Sequence, residues 1–107
     1  MSKPPYSKPA NLEELIKQVC ARPQMFAGKD NFDLAAAFIN GYYFALSEFR
    51  PEMNPPSRLN DFGRWLAQQF GYPRNYSWMY FRTALPDDES AFAQLPLLYE
   101  KFSKSAE

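Results

Sequence analysis

Apolar residues recur along this chain at intervals of three and four, the spacing of one helix face, and prolines and glycines interrupt the runs. Leu12, Leu15, Ile16 and Val19 form the first stripe. Asn11 precedes it as an N-cap, and Glu13 and Glu14 fall in the first turn, where the helix dipole favours anions. A helix is therefore predicted from residue 11 to about residue 22, where Pro23 stops it. The longest stripe is Ala35, Phe38, Ile39, Tyr42, Leu46 and Phe49, which predicts a second helix over residues 31–49, capped by Asp30 or Asn31. Gly41 costs this helix about 1 kcal/mol relative to alanine, so a close neighbour is expected there, as it is beside the three alanines 35–37. Tyr42 and Tyr43 lie about 100° apart on a helix, so one is expected inside and the other at its edge.

Residues 50–57 carry three prolines and cannot continue a helix. A third helix is predicted over residues 58–70, with Leu59, Phe62, Leu66 and Phe70 as its stripe, Trp65 beside it and Gly71 as its stop. Ser77 can cap a short fourth helix through Trp78, Phe81 and Leu85. The aromatic run from Tyr76 to Phe81 suits a strand as well, and both alternatives stay open here. Pro86 ends that segment. Asp87, Asp88 and Glu89 then open a last helix whose stripe is Phe92, Leu95, Tyr99 and Phe102, with Pro96 expected to kink it. Residues 22–28 read as a turn that sends Met25 and Phe26 toward the core. Residues 1–10, with three prolines and no apolar period, read as a flexible arm, and residues 103–107 as a frayed tail. The expected fold is all-α: a compact bundle of four to five short helices in one domain over residues 11–104.

Composition narrows the function. There is no histidine and only one cysteine, while 18% of the residues are aromatic. Histidine and cysteine carry most nucleophilic and proton-transfer chemistry at neutral pH, so binding is expected rather than catalysis, with no cofactor. Cys20 lies beside the first stripe and reads as a small core residue. No phosphate-binding glycine loop, HExxH or CxxC is present. Twelve basic residues balance twelve acidic ones. Arg50, Arg58, Arg64, Arg74 and Arg82 interleave with aromatics but fall on several elements, so no nucleic acid is expected. No apolar run approaches the roughly 20 residues of a membrane span, and the first residues lack an apolar leader. A cytoplasmic protein that contacts no membrane is expected.

More Phe, Tyr and Trp are present than one small core readily absorbs, and such side chains anchor protein interfaces. The partner-binding candidates are Trp65 and Tyr72, next to Arg64 and Arg74, together with an acidic patch of Asp87, Asp88 and Glu89 for a basic partner. The segment Arg22-Pro23-Gln24-Met25-Phe26-Ala27-Gly28, followed by Ala36-Ala37-Phe38-Ile39-Asn40-Gly41-Tyr42, resembles a group of small bacterial proteins with an RPGMYLG…AFLxGY-like pattern. Ser77-Trp78 and the acidic-start helix from Asp88 to Phe102 extend the resemblance over most of residues 12–102. Gln24, Phe26 and Ala27 depart from the pattern. The resemblance implies an immunity protein that neutralises a cognate toxin domain by covering its active site. The competing expectation is a self-associating or adaptor domain, with an exposed apolar helix face around Ala37 and Gly41 and a homodimer as its product.

Overall fold

Short polar side chains start the principal helices. Asn11 Oδ1 accepts from the Glu14 amide at 2.9 Å and Asn31 Oδ1 from the Leu34 amide at 3.0 Å, each satisfying an otherwise unpaired N–H. They open α1 (Leu12–Ala21) and α3 (Phe32–Phe49) in the computed structural model, which describes residues 8–105. Between them Pro23, at the first helical position, sets up a single turn of helix, α2 (Pro23–Ala27), where the sequence suggested only a turn. Gly28 closes it in the left-handed conformation at φ 82°. Ser57–Phe70 is α4, ended by Gly71 at φ 74°, and Asp88–Ser105 is α5. Trp78–Ala84 is a 3₁₀ helix, which resolves the helix-or-strand ambiguity, and Ser77 Oγ caps it by accepting from the Met79 amide at 3.4 Å. The fold is all-α, with no strand among the described residues.

α1 packs chiefly on α5 and on α3, and α4 packs on the 3₁₀ helix. Leu12, Leu15, Ile16 and Val19 are buried as their spacing requires, and so are Phe62, Leu66, Leu95, Tyr99 and Phe102. Two aromatic groups fill the space between helices. Phe32 meets Trp78, Phe81 and Phe92 at centroid distances of 6.3, 5.4 and 5.4 Å. Phe62 meets Tyr99 and Phe102 at 5.1 and 5.3 Å. Tilted and edge-to-face contacts of this kind add about 0.5–1.5 kcal/mol per pair beyond area burial.

The buried side of α3 is rotated relative to the expected stripe. Phe32, Ala35, Ala36, Ile39, Tyr43 and Ser47 face inward, while Phe38, Tyr42 and Leu46 lie at the margin. Phe49, expected in the core, is 87% exposed, because it falls outside the arc of α3 that runs from Phe32 to Ser47 along the core. Gly41 is also open: a Cβ there would meet nothing within 4 Å. The close approach occurs instead at Gly63, where a Cβ would lie 3.1 Å from Trp78 Cβ. Met25 does not plug the core and is half exposed, whereas Phe26 packs against Phe38 at 5.4 Å.

Of the expected N-terminal arm, residues 1–7 lie outside the described residues. Pro9 is buried, and its carbonyl accepts from Tyr42 Oη at 3.2 Å. Asn54, fully buried, donates through Nδ2 to the Ala10 carbonyl at 3.2 Å, tying this stretch to the proline loop. At the other end α5 continues through Ser105, past the expected start of fraying at residue 103, and residues 106–107 lie outside the described residues.

Candidate partner-binding site

Gly71 turns the chain back at the end of α4. The amides of Gly71 and Tyr72 both donate to the Ala67 carbonyl, at 2.8 and 3.1 Å, which folds Tyr72 against the last turns of the helix. Trp65 and Tyr72, seven positions apart in sequence, thereby line one groove of about 730 Å³ together with Arg64, Gln68, Arg74 and Phe102. Trp65 is half-buried: its ring packs on Phe62 at 6.3 Å and on Phe102 at 6.0 Å. Tyr72 Oη donates to the Trp78 carbonyl at 3.3 Å, and burial pushes its phenol up to about 12. The phenol is therefore neutral at any physiological pH, and the two rings give the groove an apolar floor.

Arg64 and Arg74 stand at the rim and also border a second groove of about 390 Å³ that reaches Asn40, Asn60 and Trp78. Arg64 lies 3.7 Å from Asp61 in an exposed pair of little energetic weight. Arg74 makes no ion pair among the described residues. Asp61 lines the same groove and offsets Arg64, so Arg74 leaves the rim one net positive charge over an aromatic floor, a combination suited to an acidic or mixed acidic–apolar segment.

Two other arginines, Arg58 and Arg82, are committed elsewhere. Arg58 lies over the rings of Tyr99 and Phe102, 5.7 and 5.2 Å from their centroids, and donates through Nε to Tyr99 Oη at 3.0 Å. Arg82 Nε donates to Asp88 Oδ1, and Arg82 Nη1 donates to the Leu85 carbonyl at 3.0 Å.

The three expected acidic residues have three different fates. Asp88 is partly buried: it pairs with Arg82, and its second oxygen accepts from the Phe32 amide at 3.0 Å. The Arg82 hydrogen bond, then the Phe32 amide, hold its carboxyl below the usual range. Asp88 joins the starts of α3 and α5, and its charge is neutralised within the fold. Asp87 is exposed and caps α5, with Oδ1 accepting from the Ser90 amide at 2.8 Å, the main cause of its own lowered pKa. Glu89 is exposed. None of the three lines the Trp65–Tyr72 groove.

Asn40 was not singled out by its spacing, yet it holds the wall of the second groove. Its Oδ1 accepts from Trp78 Nε1 at 2.7 Å, which fixes the buried indole. A lone amide within an apolar helical run is the signal that marks it. Cys20 is half-buried, and burial pushes its thiol up to about 12. Among the described residues no group of three or more aspartate, glutamate or cysteine side chains is placed to hold a metal ion, and no helix is long and apolar enough to cross a membrane. Comparison with protein families, with curated proteins and with solved structures returns no match.

Proposed function

We propose that this chain is a non-catalytic, protein-binding domain of the immunity type, which holds a cognate bacterial toxin domain in the cytoplasm and covers its active site or substrate path. The observation that carries the reading is the groove in which Trp65 and Tyr72 form an apolar floor between Arg64 and Arg74. An apolar side chain of the toxin enters against the indole, and a neighbouring carboxylate meets Arg74. Desolvated aromatic and arginine anchors of this kind supply about 2 kcal/mol or more each in tight complexes. Asp87 and Glu89, still free to meet basic groups, contribute to association rate more than to affinity. The sequence resemblance to immunity proteins supports the same class.

The test begins with a tagged capture from the source bacterium and ends with function. The captured toxin-type domain is expressed in a host together with wild-type, Trp65→Ala or Arg74→Glu protein. Wild type should protect the host, and both variants should lose protection at least tenfold in surviving cells. Arg74 is exposed, so its substitution leaves the core intact. Recovery of no toxin-type partner, or full protection by Arg74→Glu and Trp65→Ala alike, overturns the proposal.

A further inference from the structure

α3 presents a second apolar surface that the groove does not use. On a helix of 3.6 residues per turn, Leu34, Ala37, Gly41, Ala45 and Glu48 fall within about 40° of one line, with Phe44 about 60° to one side and Phe49 about 80° to the other. All of them face outward. Leu34 is 46% exposed, Phe44 68% and Phe49 87%. The charges on this face, Asp33 and Glu48, sit near its two ends, and the span between them is apolar. A helix that is apolar on both sides is ordinarily buried on both sides.

We propose that this face pairs with the same face of a second copy, antiparallel across a two-fold axis at Gly41. The sequence around Gly41 is self-complementary in size. Phe44 follows it by three positions and Ala37 precedes it by four, so an antiparallel pair seats each Phe44 on the Ala37 of the other copy. Phe38 stands in the mirror relation to Ala45, but its ring already packs on Phe26 and Tyr42 within one copy, so the Phe44–Ala37 pair carries the contact. Gly41 lies at the crossing, where the absence of a Cβ lets two backbones approach. An isologous contact requires this: one patch that carries both the knob and the hole.

The area suffices for a dimer. The exposed parts of Phe44 and Phe49 amount to about 300 Å² per copy, taking roughly 200 Å² for a phenylalanine. With Leu34, Ala37, Gly41 and Ala45 the pair buries on the order of 1,000 Å² in total, the lower bound of a biological interface. The antiparallel arrangement also brings Glu48 of one α3 toward Asp33 of the other, like charges that added salt screens, so pairing should strengthen with ionic strength. A contact at this lower bound belongs to the weak, reversible class, so it is sought from about 10 µM to about 1 mM. The face shares no residue with the Trp65–Tyr72 groove, so a dimer can still hold two partners.

Sedimentation equilibrium of the full chain across that concentration range tests the pairing. Wild type should approach twice the 12.4 kDa of one chain reversibly. Phe44→Asp, at a position already exposed, should keep the wild-type circular dichroism spectrum and raise the dissociation constant at least about a hundredfold, since a charge is buried against an apolar partner. Trp65→Ala should dimerise as wild type does, which separates this contact from partner binding. A wild-type mass that stays monomeric up to about 1 mM, or a dimer that Phe44→Asp leaves intact, overturns the proposal.

Discussion

Two glycines in helix interiors respond oppositely to the same substitution. Glycine in a helix is less favourable than alanine by about 0.8–1.0 kcal/mol, because the unfolded chain has more freedom to lose. At Gly41 an added Cβ meets nothing within 4 Å, so Gly41→Ala keeps the whole gain. At Gly63 the same methyl lies 3.1 Å from Trp78 Cβ and 3.7 Å from Trp78 Cα. Trp78 has little room to give: it is buried, its indole is held by Asn40, and it opens the 3₁₀ helix. Gly63→Ala therefore loses its gain to overpacking, which costs about 1–3 kcal/mol when a core cannot relax. In a domain of this size 1 kcal/mol corresponds to roughly 4–8 °C in Tm. Gly41→Ala should raise Tm by about 5 °C, and Gly63→Ala should leave it unchanged or lower it by up to about 10 °C. Thermal unfolding followed by circular dichroism reads both, with each variant built on Phe44→Asp so that self-association does not contribute. An equal rise at both positions refutes the packing argument at Gly63, and no rise at Gly41 refutes the openness of the α3 outer face.

Asn40→Ala leaves the buried Trp78 N–H without an acceptor and should cost about 1–3 kcal/mol in urea unfolding; a loss under 0.5 kcal/mol would show that the indole finds another partner. Cys20, with its thiol pushed up to about 12, carries on the order of one thiolate in 10⁴ at pH 8, so Ellman's reagent should label the native protein about a thousandfold more slowly than the unfolded chain; prompt native labelling contradicts this. Asp87 and Asp88 have lowered native pKa values, so the stability they contribute is fully present above the ordinary carboxyl value near 4 and is lost as pH falls through their native values. Asp88→Asn should therefore be less stable than wild type at pH 7, with a gap that narrows as pH falls toward 2, as read by urea midpoints; an undiminished gap at pH 2 refutes the electrostatic account.

Helix starts and stops were legible because they depend on residues within one turn of each other. Asn11, Asn31, Ser77 and Gly71 act where local rules place them. The inward faces of α1, α4 and α5 were legible for the same reason, since each has one apolar stripe. α3 was not, because it is apolar all round and period alone cannot say which side meets the core. The misplacement of Phe49 and of the close approach at Gly41 both come from that ambiguity. In the candidate site, the pairing of Trp65 with Tyr72 follows from the turn at Gly71. The withdrawal of Asp88 rests on Arg82, six positions back across the Pro86 turn, and on the Phe32 amide, 56 residues away, which no local rule reaches.

The packing of α1 on α5 has a consequence for how the molecule is made. These two walls of the core lie far apart along the chain, so the fold cannot shut until α5 leaves the ribosome. Until then Leu15, Ile16 and Val19 have no cover on that side, and a chain cut short within α5 is left with an open flank for chaperones or proteases to find. Burial of the α1 stripe thus reports that α5 has been translated.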